Sequence, residues 1–159
     1  AGRINWAQGI AQYIDPKHKR EWSELWTPRG EGLILRSIRI DYKFPMKWPD
    51  RVSVYHKLRS APSTEATSFA LDVIILSELH QRPAARCSED VVVYDYLKDR
   101  KTGLQPFMRE ILSRTFQQQE RAKEQYSKQA QQLIHRTEQL ELASWNRDGA
   151  EEDTGSPGT

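Results

Sequence analysis

The chain has 159 residues, enough for one domain with a modest core and an appendage. Hydrophobic residues make up 37% and charged residues 29%, with a mean hydropathy of −0.79, so part of the chain is expected to be extended or solvent-facing. A net charge of +2 is too mild to mark a nucleic-acid binder, the lone Cys87 excludes an internal disulfide and a cysteine-based zinc site, and no apolar run approaches the ~20 residues that span a bilayer.

The first residues, Ala1-Gly2-Arg3-Ile4-Asn5-Trp6, carry no secretory pattern. Over residues 3–13, Ile4, Trp6, Ala7, Ile10, Ala11 and Ile14 recur at spacings near three and four, which predicts an amphipathic helix of about three turns. Gly9 inside it weakens the helix by roughly 1 kcal/mol relative to Ala, a cost that a close approach of a sheet would justify. Asp15-Pro16 then opens a second short helix, with Asp15 as N-cap and Pro16 at the first helical position. Trp22, Leu25 and Trp26 form its apolar patch, Lys17, His18, Lys19 and Arg20 lie near its start, and Thr27-Pro28-Arg29-Gly30 closes it.

Four β-rich segments follow, at residues 32–44, 51–59, 68–77 and 85–96. Breakers separate them: Pro45-Met46-Lys47-Trp48-Pro49-Asp50, then Pro62-Ser63-Thr64-Glu65, then Glu78 to Pro83. Strands joined by short loops, with a helix before them rather than between them, predict an antiparallel sheet in an α+β domain. Val52, Val54 and Leu58 alternate with Arg51, Ser53, Tyr55 and Lys57, and Phe69, Leu71, Val73 and Ile75 alternate with Ala70, Asp72, Ile74 and Leu76. The last segment is apolar on both faces at Val91, Val92 and Val93, as a central strand covered twice would be; a second subunit or the C-terminal helix is expected to supply the second cover.

This order of elements resembles the hot-dog fold of acyl-CoA thioesterases, in which a curved antiparallel sheet wraps one helix. Two stretches carry the resemblance. Residues 41–54, Asp41-Tyr42-Lys43-Phe44-Pro45-Met46-Lys47-Trp48-Pro49-Asp50-Arg51-Val52-Ser53-Val54, look like the family's strand–Pro–turn–Asp–strand segment, and residues 84–96 look like its last long strand. The likeness spans roughly residues 1–112 and is nearest to fungal thioesterase-like proteins. It implies a hot-dog-like sheet around the N-terminal helix, a tendency to form homodimers, and a catalytic carboxylate in a loop before that helix. The sequence opens after that position, so the front of the fold is expected to be missing, through removal of a leader such as an organellar presequence or through loss.

After Pro106 the composition changes. From Phe107 to about Trp145 there is no Gly or Pro, which predicts a helical arm, over residues 113–146 once clear of the domain, some 50–60 Å long with its first turns included. Phe107, Met108, Ile111, Leu112 and Phe116 can dock on the domain, residues 117–132 are polar almost all round, and Leu133, Ile134, Leu140, Leu142 and Trp145 restore apolar character. The waist offers only Ala122, Tyr126 and Ala130 to a heptad seam, too few for a self-contained coiled coil. Residues 147–159, acidic and rich in Gly, Ser and Pro, are expected to be disordered.

No residue of the chain inherits the family's catalytic role, so no catalytic, cofactor or metal residue is expected. Asp15 reads as a cap, Asp41 and Asp50 as local side-chain-to-backbone bonds at a turn, Asp95 as an ordinary strand exit, and Glu89, Asp90 and Asp72 as cross-strand partners of Arg86 or another base. His18, His56, His80 and His135 are scattered without metal spacing, His56 reads as a core histidine, and Cys87 lacks a neighbouring base in sequence. Gly30-Glu31-Gly32 is too short for a phosphate loop. Basic and aromatic residues interleave at Lys17, Lys19, Arg20, Trp22 and Trp26 and again at Lys43, Lys47, Trp48 and Arg51; such a surface suits ribosomal RNA, an acidic partner or CoA phosphates.

The expected function is that of a thioesterase-like protein without its chemistry, kept as a structural subunit of a larger assembly, the fungal mitochondrial ribosome foremost. Its contacts with other protein subunits are expected at Tyr126, Leu133, Ile134, Leu140 and Trp145, at the sheet, and at the basic and aromatic residues above. The location is then mitochondrial, with the cytoplasm as alternative. The competing expectation is an acyl-CoA thioesterase whose carboxylate lies upstream or in a partner chain; only there does a CoA thioester enter, as substrate.

Overall fold

The computed structural model describes residues 2–145 and 148–149, the side chains of Gly2 and Arg3 excepted. The tail expected over 147–159 lies, but for Asp148 and Gly149, outside the described residues. Two compact units divide the chain, Ala1–Gln118 and Gln119–Thr159.

The first unit opens with helix α1 (Gly2–Gly9), which continues as a π-helical turn over Ile10–Ile14 and closes with the Asp15 amide donating to the Ile10 carbonyl at 2.8 Å. Ala7, Ile10 and Ala11 are buried as the apolar spacing predicts, whereas Ile14 is 40% exposed. The wider π turn is the reason, because it rotates Ile14 off the stripe that an unbroken α-helix would keep. Gly9 meets no close neighbour, since a Cβ there would have nothing within 4 Å, so the expected close approach of the sheet does not occur at this residue. A 3₁₀ turn (Pro16–His18) leads into α2 (Lys19–Glu24).

Five strands follow: β1 (Glu31–Tyr42), β2 (Val52–Leu58), β3 (Ser68–Ser77), β4 (Arg82–Asp95) and the short β5 (Arg100–Lys101). They form one antiparallel sheet in the order β1-β4-β3-β2, with β5 paired to the end of β4. The expected α+β class and the central place of the last long strand both hold. A close approach occurs at Gly32 instead: a Cβ there would stand 2.8 Å from a Tyr96 ring carbon, 3.2 Å from the Thr27 carbonyl and 3.3 Å from that of Leu25, in the turn after α2.

Register puts Leu33, Val93, Val91, Phe69, Leu71 and Leu58 on one face, where they pack with Ala7, Ile10 and Trp22 and with Met108, Ile111 and Leu112 from the start of helix α3 (Pro106–Ala143). The first turns of α3 therefore join the same core as α1, which corrects the expectation that the C-terminal helix could cover the opposite face. There Val92 is 4% exposed within the single chain, paired in register with Ile34 and Ser68, so its burial does not require a second subunit.

The helices cover only that end of the sheet. On the same face Ile38, Ile40, Val52 and Val54 remain 39–50% exposed. The expectation that Val52 and Val54 are core residues is corrected by this: their alternation is real, but β2 is an edge strand and only Leu58 reaches beneath the helices.

Candidate functional site

Three surfaces carry candidate functional side chains. The first is a groove of about 630 Å³ on the helix-side face of the sheet, where the helices stop. Ile38, Ile40, Val54 and Ile75 make its walls apolar, and His56, Cys87 and Glu89 lie among them. His56 stacks in a tilted arrangement on Trp6, ring centres 6.3 Å apart, so it is half covered from the α1 side. Glu89 is 8% exposed, a carboxyl held inside apolar surroundings. Burial first, and then the charges of Glu89 and Asp41, push the Cys87 thiol above its ordinary range, which makes its thiolate scarce.

Most other carboxylates of the first unit are engaged within the fold. Asp15, expected as a helix cap, makes no capping bond. It is 2% exposed and accepts instead from the Trp22 indole N–H at 3.0 Å and from His18 Nδ1 at 2.9 Å, tying the end of the π turn to α2. Asp90 pairs with Arg36, and Asp72 with Arg59; these are the cross-strand pairs foreseen, but Arg86 is not the base in either. Asp95, 4% exposed, accepts from the Leu97 and Lys98 amides at 3.0 and 3.2 Å and from the Lys98 ammonium at 3.0 Å; that ammonium first, then the two amides, hold its carboxyl below the usual range. Among the described residues no group of three His, Cys, Asp or Glu side chains is placed to hold a metal, and no helix is long and apolar enough to cross a membrane.

The second surface is the tip formed by the β1–β2 loop and the β3–β4 turn. Asp50 fastens the two: it accepts from Ser77 Oγ–H at 2.5 Å and from the Leu79 amide at 3.1 Å, and the Glu78 amide donates to the Arg51 carbonyl at 2.9 Å. The Ser77 hydroxyl is the main reason that the Asp50 carboxyl sits below its ordinary value, with the Leu79 amide and His80 adding to it. Trp48 stands 93% exposed on this tip, beside exposed Lys47.

The third surface belongs to the second unit. Tyr126, Leu133, Ile134, Leu140 and Leu142 of α3, with Trp145 beyond it, are each 59–73% exposed. All five residues expected here as contacts therefore lie in the open. Lys17, Lys19 and Arg20 are also exposed. Trp22 is not: at 1% exposure it belongs to the core, edge-on to Phe107 at 5.3 Å, and its place among the contact residues is withdrawn. Trp26 is half-buried against the same core. Sequence reasoning missed the groove and the Asp15–Trp22 bond; the second joins residues seven apart across two kinds of helical turn, a closure that no spacing rule encodes.

The sequence pattern of the thioesterase-like superfamily matches residues 2–112. No curated protein matches the chain. Among solved structures, a thioesterase from Thermus thermophilus, determined with coenzyme A and Zn, is 18% identical; the match covers 72% of this chain and 71% of that one, with a TM-score of 0.52. A predicted thioesterase from Bacillus stearothermophilus (18% identity, 63% and 74% covered, TM-score 0.47) and a probable thioesterase from Escherichia coli (18%, 67% and 84%, TM-score 0.46) are similar as well. At 18% identity the likeness to the Thermus thermophilus protein is one of fold, and it agrees with the antiparallel sheet and N-terminal helix described above.

Proposed function

Since the chain belongs to the thioesterase-like superfamily, we propose that it keeps the hot-dog scaffold, lacks thioester hydrolysis, and serves as a structural subunit of a larger assembly. The observation that carries this reading is the exposed set Tyr126, Leu133, Ile134, Leu140, Leu142 and Trp145. Single exposed apolar side chains are common on any protein, but five in the polar second half of α3, with Trp145 just beyond it, make a contact surface. Burying one such side chain contributes about 1.5–3 kcal/mol, so a few of them hold a subunit in place.

Two further features support the reading. Asp15, Asp50, Asp72, Asp90 and Asp95 are engaged in bonds that hold the fold together, which leaves them poorly placed as a general base. Exposed Lys17, Lys19, Arg20 and Lys47 suit an RNA-containing assembly, and the mitochondrial ribosome is the one we place first, with a mitochondrial location to match and the cytoplasm as alternative.

The second reading is an acyl-CoA thioesterase, favoured by the apolar groove with Glu89 and His56 inside it. A thiol-release assay over acyl-CoA esters of several lengths separates the two. The structural reading expects no turnover above background. Turnover that disappears on Glu89→Gln in a protein of unchanged melting temperature establishes the enzyme instead.

A further inference from the structure

Sequence alone offers two basic–aromatic clusters, and the structure keeps only one of them intact. Around α2 the aromatic partner is withdrawn, because Trp22 is in the core and Trp26 is half covered. At the tip between β1 and β2 the aromatic is presented: Trp48 is 93% exposed. The loop that carries it is not slack. The Asp50 amide donates to the Lys47 carbonyl at 3.1 Å, closing a turn around Trp48, and the Asp50 carboxylate bolts that turn to Ser77 and Leu79 of the neighbouring one.

The acids of the tip are engaged in bonds: Asp50 as described, the exposed Glu78 accepting from the Ser53 hydroxyl, and the exposed Asp41 3.7 Å from Arg39. Its bases face outward: Lys43, Lys47, Arg51 and Arg82 are all exposed. Arg82 is held by a second aromatic, with its guanidinium carbon 4.1 Å from the centre of the Phe44 ring, while His80 meets the same ring edge-on at 5.2 Å. The tip thus offers an open indole on a fastened loop that also carries Lys43, Lys47 and Arg51, with Arg82 at the start of β4.

We propose that this tip binds single-stranded RNA, with a base stacked on Trp48 and the backbone phosphates on Lys43, Lys47, Arg51 and Arg82. Four exposed bases on one tip, against acids already engaged in bonds, favour a polyanion. A flat ring with one face free selects a polyanion that can offer unpaired bases, because in an A-form duplex the bases are stacked on one another and out of reach. Met46 and Leu79 are also exposed here, which makes an anionic membrane the occupant to be told apart.

RNA binding at this tip deepens the assembly reading, yet the two fail separately: substituting the exposed residues of α3 removes the chain from its assembly and leaves RNA binding in place, whereas substituting Trp48 does the reverse to RNA. The test is fluorescence anisotropy of the whole chain with a labelled single-stranded oligouridine, the matched RNA duplex, and, by co-sedimentation, vesicles of phosphatidylcholine with phosphatidylserine. Binding is expected to favour the single strand over the duplex and to weaken with salt. Trp48→Ala should weaken it by about 5- to 100-fold, a stacked base lost, while Trp48→Phe retains most of it. Arg51→Gln with Lys47→Gln should flatten the salt dependence. Equal melting temperatures certify that these surface variants are folded. The proposal is overturned by no single-strand binding, by equal binding of duplex and single strand, by affinity that ignores Trp48→Ala, or by vesicle binding in place of RNA binding.

Discussion

Two glycines show how the same residue type answers to different forces. At Gly32 a Cβ would meet a Tyr96 ring carbon at 2.8 Å and the backbone carbonyls of Thr27 and Leu25 at 3.2 and 3.3 Å; the ring can turn aside, but the carbonyls cannot retreat as a side chain can. Gly32→Ala should therefore cost about 1–3 kcal/mol in denaturant unfolding, the range of an overpacked core. Gly9 has α-helical φ and ψ and open space around it, so Gly9→Ala should stabilise by roughly 0.5–1 kcal/mol. The carboxylates give a pH signature. Asp50 and Asp95 are both held below their ordinary values, by the Ser77 hydroxyl and by the Lys98 ammonium before all else. A depressed carboxyl contributes stability that is fully present above the unfolded value, near 4, and that is lost as the pH falls through the folded value. Melting temperature should thus hold from neutrality down to that region and then fall, and Asp50→Asn should make the fall shallower. A curve of unchanged shape would show that the bolt between the two turns contributes nothing.

At the scale of elements, β4 is the strand that organises the fold, and Val92 tests its burial. An aspartate there would be an unpaired charge at a site 4% exposed, so Val92→Asp should cost about 3 kcal/mol or more, whereas Val54→Asp, on the open edge strand at 42% exposure, should cost little. Equal costs in thermal melts would place water on both strands. The central place of β4 was legible because Val91, Val92 and Val93 are apolar on both faces. The exposure of Val52 and Val54 was not, because alternation tells which side chains share a face and not how far a covering helix extends. Ile14 misled for a related reason: the spacing assumed 3.6 residues per turn, and the chain closes that turn with a bond from Asp15 to Ile10. Within α3, residues 119–143 bury little apolar surface, and a helix held mainly by its own propensity opens readily. Hydrogen exchange should be far faster there than in β4 for the chain alone.

For the whole molecule, the scaffold and the exposed apolar residues of α3 have different origins in the sequence. The hot-dog sheet with its N-terminal helix was visible through the order of strands and breakers, and the exposed set of α3 through a change of composition after Pro106. The groove beside Glu89 was not visible, since it exists only because the helices stop short of Ile38, Ile40 and Val54. The place of Trp22 in the core was not legible either, because its indole N–H is held by the Asp15 carboxylate, a bond that no spacing announces. The central claim is that the exposed face of α3 seats this chain in a larger particle. Sedimentation of extracts from cells expressing the tagged whole chain tests it most directly, with the natural chain compared against a variant carrying Tyr126→Ser, Leu133→Ser, Ile134→Ser and Leu140→Ser. The natural chain should travel with a large particle and the variant should remain at the top of the gradient with an unchanged sheet domain. A variant that still travels with the particle, or a natural chain that sediments alone, would contradict the account.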